Sequence, residues 1–347
     1  MKNFNLFFYR IFHWEYWSME FIYYPLFPIW IYLSIKSRSL FFFNAANPKI
    51  KNGGMAMESK DDIYKMIPEE HIPKTLHFQN NTDSNAILKA CAATNITFPF
   101  IIKPDIGMKG LGVAKIHDGE ELAAYLKKNK TDYIIQEYIS HPNEVGIFYV
   151  RHPNEKKGNV TGIVSKEFLT ITGNGKSTVG ELIIENPRSH LQLNRLRKKY
   201  GSYLKTIPGN KEKITLMSFG SHTLGARFLD LSNAITPELT ERVNAICQGV
   251  PQFYYGRLDV KLTSLEDFTQ GINYSIIEIN GAGSEPTHIY DSSHTIFYAW
   301  KEICRHWFLL QKISQANFCK GVKYLSFKEG LSMLKQNGQL EKQLRQI

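Results

Sequence analysis

Two short segments, GRLDVKL (residues 256–262) and SIIEINGAG (residues 275–283), constrain this chain more than any other feature. Side chains alternate faces along a strand. Arg257, Asp259 and Lys261 are therefore expected on one face, with Leu258 and Val260 on the other. By the same count Glu278 and Asn280 point together, with Ile277 and Ile279 beneath them. Placed side by side, the strands carry oxygen ligands and cations above an aliphatic floor. Mg²⁺ takes oxygen ligands, few of them from protein and the rest from phosphate and water. Asp259, Glu278 and Asn280 supply that chemistry. Alternation alone is also what any half-exposed antiparallel strand shows, so the reading needs support from elsewhere in the chain.

That support lies upstream. Residues 98–113, FPFIIKPDIGMKGLGV, read as an apolar strand ending in Lys103, then a loop carrying Gly107, Gly110 and Gly112. Glycines let backbone amides come close to phosphate oxygens, and a lysine at the strand end adds a point charge for the same group. Residues 133–150, YIIQEYISHPNEVGIFYV, read as strand, short polar break and strand. The loop is not a Walker A sequence, because no GKS or GKT closes it into a helix, and it lacks the dinucleotide fingerprint.

In this order, the pieces resemble the ATP-grasp superfamily across residues 72–313. The resemblance implies an α+β fold in which two subdomains clasp ATP, and Mg²⁺ or Mn²⁺ as the metal. Lys103 and the loop of Gly107, Gly110 and Gly112 would meet the phosphates. Gln136, Glu137, Tyr138 and Ile139 would form the hinge along the adenine edge, largely through main-chain groups, and Glu144 would accept from the ribose hydroxyls. Asp259, Glu278 and Asn280 match the metal ligands. Arg257 matches the arginine that steadies the transferring phosphoryl group and the acyl intermediate. Residues 165–183 look like the loop and helix of cyanophycin-synthetase-like members, with Lys166 and Lys176 as phosphate or substrate contacts. The implied activity is ATP-dependent activation of a carboxylate as an acyl phosphate, then capture by an amine. A kinase acting on a hydroxyl, or a nucleotide-binding protein without turnover, are the alternatives. The metal strands also look like those of D-alanine–D-alanine ligase. That family's Asn-Thr-x-Pro-Gly turn is replaced here by Asn280-Gly281-Ala282-Gly283-Ser284, which puts dipeptide specificity in doubt.

The amino-terminal region departs from the pattern, since usual members begin with a small Rossmann-like domain. Residues 5–43 are instead rich in Phe, Trp and Tyr. Residues 21–35 carry no charge but contain Pro25 and Pro28. They are short of the roughly 20 apolar residues of a span, and two prolines argue against one straight helix. Aromatic residues favour the headgroup boundary, so an interfacial or re-entrant membrane attachment on the cytoplasmic face is expected. A buried aromatic layer or a dimer contact is the competing reading. The expected division is 1–43 for this segment, 44–97 for a small leading region, 98–315 for the ATP-grasp domain and 316–347 for a helical tail. Small-molecule or lipid-linked carboxylates and amines are the expected substrates.

A formal charge of +10 permits nucleotides, nucleic acid or an anionic membrane as partners. No zinc spacing or nucleic-acid motif is present, and no nucleic-acid partner is expected. Cys91, Cys247, Cys304 and Cys319 are scattered, which fits thiols in a reducing compartment rather than a disulfide frame. Ser59 is a credible cap for a short helix ending near Met66, Asp83 or Ser84 for another, and Thr236 for one running to about Gln248. The polar loop 44–60 is a possible cover for the nucleotide site. Residues 188–200 read as one basic helix, and His222 and Arg227 as possible substrate contacts.

Overall fold

The computed structural model describes residues 2–217 and 225–347, with side chains from residue 6 onward. Its strands in chain order are β1 (Thr75–Phe78), β2 (Phe100–Pro104), β3 (Ala114–Ile116), β4 (Tyr133–Glu137), β5 (Asn143–Val150), β6 (Asn159–Glu167), β7 (Thr170–Thr172), β8 (Lys213–Thr215), β9 (Arg227–Asp230), β10 (Tyr255–Leu262) and β11 (Tyr274–Asn280). They form a small antiparallel sheet ordered β1-β4-β2-β3, a large antiparallel sheet ordered β11-β10-β5-β6-β9, and a separate β7-β8 pair. This is the expected α+β clasp. β1, upstream of the boundary expected at 98, is an edge strand of the sheet that carries Lys103.

The helices are α1 (Lys2–Phe12), α2 (Met19–Tyr23), α3 (Phe27–Ser37), α4 (Lys60–Tyr64), α5 (Ser84–Ala93), α6 (Gly119–Lys128), α7 (Val179–Glu185), α8 (Pro187–His190), α9 (Leu193–Tyr200), α10 (Pro237–Gly249), α11 (Leu265–Gln270), α12 (Ile296–Cys319) and α13 (Phe327–Leu344). Side-chain caps start several of them. Ser59, Asp83 and Thr236 each accept from a backbone N–H in the first turn that follows, which satisfies donors that have no partner within the helix. The basic stretch 188–200 is two short helices, α8 and α9, rather than one, with a break at Leu191 and Gln192. His222 lies outside the described residues.

Alternation places the two cores. Ile102, Tyr133 and Ile135 of the small sheet pack on Ile87 and Cys91 of α5 and Leu122 and Tyr125 of α6. The opposite face, with Ile134, joins the core of the large sheet, where Leu258, Val260, Ile276 and Ile279 meet Leu239, Val243 and Ile246 of α10. The expected floor of Ile277 and Ile279 is corrected here. The β10–β11 register slips between Asp259 and Val260, which pair with Glu278 and Ile276. Such a bulge leaves one residue without an opposite number. Ile277 is that residue, and Ile276 takes its place in the core.

The aromatic segment is two-sided. Trp14, Ile22 and Leu26 pack on Ala299 and Ile303 of α12, while Leu33 and Phe41 to Phe43 pack on Leu310, Ile313 and Met333. Trp14 Nε1 donates to the His294 carbonyl at 2.7 Å and Trp300 Nε1 to that of Ile22 at 2.9 Å. The outer side is apolar and exposed, with Phe12, Phe21, Tyr24 and Ile35 each at least 70% accessible. Pro28 opens α3, a position that wants no N–H. Among the described residues no helix is long and apolar enough to cross a membrane.

Beneath this layer α12 buries a polar cluster. Arg305 and His288 hold the Glu302 carboxylate, at 2.6 and 3.5 Å. Burial would raise that carboxyl, but His288 and Arg305 outweigh burial and hold it at about 2. His306 Nδ1 meets the Glu302 carbonyl at 2.8 Å, its Nε2 meets Thr161 Oγ1 at 3.0 Å, and burial pushes its pKa down from 6.5 to about 4. The folded state therefore binds fewer protons than the unfolded one between those values. Stability from this group is complete above pH 6.5 and is lost as the pH falls through 4, by up to about 3 kcal/mol. Urea unfolding at pH 7 and pH 4.5 should show that loss, and His306→Gln should flatten the difference. Equal pH dependence in the two proteins would refute it.

Candidate active site

The site assembles where β2 of the small sheet meets β10 and β11 of the large one. Asp259 pairs across the sheet with Glu278, and Arg257 with Asn280. Directly opposed residues in an antiparallel pair share a face, with Cβ atoms about 4.5–5.5 Å apart. The expected ligands are thus brought together. Arg257 grips Asp259 in a fork, Nε to Oδ1 at 2.9 Å and Nη2 to Oδ2 at 3.1 Å. Asn280 Nδ2 stands 3.4 Å from Oδ2. On the other side of β10, Gly146 leaves room for this fork, because a Cβ there would lie 3.0 Å from Arg257 Cδ and 3.2 Å from Asp259 Oδ1.

Lys166, from β6, lies under the same carboxylate. Its Nζ sits 3.1 Å from Asp259 Oδ1 and 2.9 Å from Glu144 Oε1, and all three side chains are more than nine-tenths buried. Burial alone would raise Asp259, but Arg257 and Lys166 outweigh it and hold the carboxyl at about 2. Burial would likewise lower Lys166, yet Asp259 and Glu144 more than offset it and keep the ammonium above its ordinary value. Lys166 is thus an internal counter-charge in this arrangement. Lys176 is exposed in the turn before α7 and lines a cavity of about 810 Å³ with Tyr9 and His190.

Lys103 is fully enclosed. Its three ammonium protons match three acceptors: Tyr64 Oη at 2.9 Å, Gln136 Oε1 at 3.0 Å and the Ile277 carbonyl at 3.1 Å. The last is the bulged residue, whose carbonyl also accepts from the Tyr64 hydroxyl. Burial pushes the Lys103 pKa down, while the charges of Glu278, Asp259 and Glu144 pull it back. In the hinge, Gln136 also donates to Thr75 at 3.0 Å, and the Glu137 amide donates to the Lys74 carbonyl at 2.9 Å. Lys115 caps the ring of Tyr138, and Ile139 is half-buried beside it. Arg227 makes an exposed pair with Glu167 at 3.6 Å.

Several residues at the site were not singled out from the sequence. Lys60 donates to the Gly107 carbonyl at 3.1 Å and stands 3.6 Å from Glu278, bridging the glycine loop and the acid pair. Asp105, at the head of that loop, accepts from Ser59 Oγ and the Asp61 amide, so α4 and the loop hold each other. Gly110 and Gly112 take positive φ, and Gly112 backs onto Pro104. The loop 44–60 does cover the site's edge. Ala282 and Gly283 donate to the carbonyls of Gly53 and Gly54. Gly54, at φ +77°, lies so near Gly281 that a Cβ would come within 2.7 Å of its Cα. Asn47, fully buried, bonds Tyr254, Tyr255 and Gly53. The polar composition of that loop was the only signal.

Among the described residues no three or more His, Cys, Asp or Glu stand together as a metal cluster. Two adjacent carboxylates and an amide oxygen nevertheless fit a hard cation that takes its other ligands from phosphate and water. Glu278 is one-third exposed, and its one ion pair among the described residues is with Lys60, so its oxygens are open to such an ion. Asp259 is more committed, since both its oxygens already face cations.

No family model matches the chain. Over 137 residues, 35% of the chain, it is 28% identical to a bifunctional glutathione biosynthesis protein of Clostridium perfringens, and the match covers 18% of that protein. A bifunctional glutathione synthetase from Pasteurella multocida shows 16% identity and a TM-score of 0.37, over 73% of this chain and 38% of that one. The VanG D-Ala:D-Ser ligase of Enterococcus faecalis shows 16% identity and a TM-score of 0.43, over 75% and 62%. The chain thus spans less than a fifth of its curated relative and well under half of the synthetase. The two antiparallel sheets, with a lysine on one facing a paired Asp and Glu on the other, have the arrangement that the resemblance to the ATP-grasp superfamily implies.

Removing one partner from a buried charge network leaves the rest uncompensated. Lys166→Met should therefore lower stability by about 3–5 kcal/mol, read by urea unfolding without nucleotide. A variant as stable as the wild type would show that Lys166 is not needed to neutralise Asp259 and Glu144.

Proposed function

We propose that the protein is an ATP-dependent carboxylate–amine ligase that works at a membrane surface. The observation that carries the chemistry is the register pairing of Asp259 with Glu278, flanked by Arg257, Lys166, Lys60 and Lys103. Four cations gathered around two carboxylates, beside a glycine loop, suit a polyphosphate better than any neutral ligand.

Asp259, Glu278 and Asn280 would hold Mg²⁺ or Mn²⁺, which supplies neutralisation of phosphate charge. Lys60 and the loop of Gly107, Gly110 and Gly112 cover the phosphates, Glu144 and the hinge at Gln136 to Ile139 face the nucleoside, and Lys176 guards the approach. Lys103 exchanges one of its three internal acceptors for a phosphate oxygen when ATP binds. Arg257 steadies the transferring phosphoryl group. A substrate carboxylate oxygen attacks the γ-phosphorus and ADP leaves, giving an acyl phosphate. An amine then attacks the acyl carbon, and phosphate departs as the amide forms. Positioning and charge neutralisation dominate the first step.

Glu278→Gln should keep the fold, since the side chain is one-third exposed. Turnover should fall at least about a hundredfold, or ~2.7 kcal/mol of barrier. The assay is ADP release and hydroxamate formation with hydroxylamine, using a metabolite extract as the carboxylate source. Equal rates in the two proteins would remove Glu278 from the metal site. ADP without hydroxamate would favour transfer to a hydroxyl.

The membrane part rests on the outer side of α1 to α3, where Phe12, Phe21, Tyr24 and Ile35 are exposed beside Arg10, Lys36 and Arg38. An apolar face rimmed by cations suits shallow insertion into an anionic surface. It would bring a lipid-linked carboxylate or amine to the site from the cytoplasmic face. The wild type should co-sediment with phosphatidylglycerol vesicles, and Phe12→Glu with Phe21→Glu should abolish this without changing the fold. Sedimentation that survives the double substitution would locate binding elsewhere.

A further inference from the structure

The turn after β11 carries a carboxylate that the chemistry above does not use. Glu285 lies five residues beyond Asn280, and its backbone carbonyl accepts from Arg257 Nη1 at 3.3 Å. Its side chain is held from one direction only. The hydroxyls of Tyr23 and Tyr290 both donate to Oε1, the second at 3.2 Å. Oε2 has no partner among the described residues, yet it is not one of the buried orphan atoms, and Glu285 as a whole is half-buried. Two neutral donors fix the carboxylate's direction without neutralising its charge, and the unused oxygen is left to solvent beside the arginine of the reaction centre. Two residues on, the Thr287 hydroxyl is buried without a partner.

A carboxylate oriented in this way is suited to a cation. Arg257 hydrogen-bonds its main-chain carbonyl and feels its charge without forming an ion pair, and among the described residues no lysine or histidine is paired with its side chain. In the ligase reaction the incoming cation is the protonated amine. We propose that Glu285 Oε2 receives the ammonium group of the amine substrate, which passes a proton to solvent before its neutral nitrogen attacks the acyl carbon, with Tyr23 and Tyr290 as positioning residues, and that this ligase therefore selects a charged primary amine as its second substrate. The inference rests on the ligase reading. Tyr23 belongs to α2, so the aromatic segment supplies part of the acceptor pocket. It thereby gains a role besides covering the core.

The test separates the two half-reactions. Hydroxylamine is uncharged at neutral pH and can trap an acyl phosphate without an ammonium receptor, whereas amino acids arrive charged. Wild type, Glu285→Gln and Tyr23→Phe are incubated with ATP, Mg²⁺ and a metabolite extract, with either hydroxylamine or a ¹⁵N-labelled amino-acid mixture as nucleophile. Glu285→Gln should form hydroxamate within about twofold of the wild type and lose at least about tenfold of the ¹⁵N-labelled amide. Raising the amino-acid concentration should recover part of that loss, as expected for a KM effect. Tyr23→Phe, which keeps the carboxylate, should lose amide selectively but to a smaller degree. Amide formation unchanged in Glu285→Gln overturns the proposal. A parallel fall in hydroxamate and amide also overturns it, because Glu285 would then serve the structure of the whole site. No hydroxamate from the wild type would end the ligase reading itself, and this inference with it.

Discussion

Lys103 is the joint on which the clasp closes. A buried ammonium is costly unless each of its protons finds an acceptor. Here the three acceptors come from three places: the hydroxyl of Tyr64 on α4, the side chain of Gln136 on β4, and the main chain of Ile277 on β11. One charge therefore ties the small sheet, the large sheet and the covering segment together. Ile277 is the bulged residue of β11, without a register partner on β10, and its carbonyl serves Lys103 and Tyr64 instead. Burial pushes the Lys103 pKa down, and the carboxylates of Glu278, Asp259 and Glu144 offset part of that push. Three cations, Lys103, Lys166 and Arg257, thus stand against three carboxylates in one low-dielectric region.

Much of this site was legible in the sequence because strand alternation is a strict geometric rule. Arg257, Asp259, Glu278 and Asn280 fall on one face as the count requires, and Lys103 ends its strand before the glycine loop. The bulge was not legible. It inserts one residue without any change in composition, and it moved Ile277 from the floor to the joint. Lys60, Tyr64 and Asn47 were hidden for another reason. They reach the site from a segment without regular periodicity, and contacts such as Asn47 to Tyr255 span more than two hundred residues. Lys166 reads from the sequence as a phosphate or substrate contact, and nothing local reveals that β6 turns it under Asp259. The split of the basic stretch into α8 and α9 has no evident cause in the residues at the break.

The aromatic segment forms a thin layer against α12. Its inner side fills the gap between α12 and the large sheet with rings, and two indole donors tie it down, Trp14 to the His294 carbonyl and Trp300 of α12 to that of Ile22. The loop that follows then adds two main-chain hydrogen bonds to the turn after the acid strand, with Asn47 fixing its base. Aromatic residues suit this work because each buries a large area with few rotatable bonds. The same sequence that looked wholly lipophilic therefore divides its apolar surface between core and exterior.

The helix α13 joins parts of the molecule that the chain otherwise keeps separate. At its start the Phe327 ring lies tilted against that of Phe41, and Gly330 is pressed so close to the Phe41 ring that no Cβ would fit. At its far end Leu344 lies against Gly107, Ile347 against Gly112, and Glu341 pairs with Lys109 at 3.4 Å. An α-helix of this length spans about 27 Å as a single stiff rod. The aromatic layer and the tip of the glycine loop are therefore opposite ends of one lever. A tilt of α13 at its first turn would therefore move the contacts that its far end makes with the glycine loop.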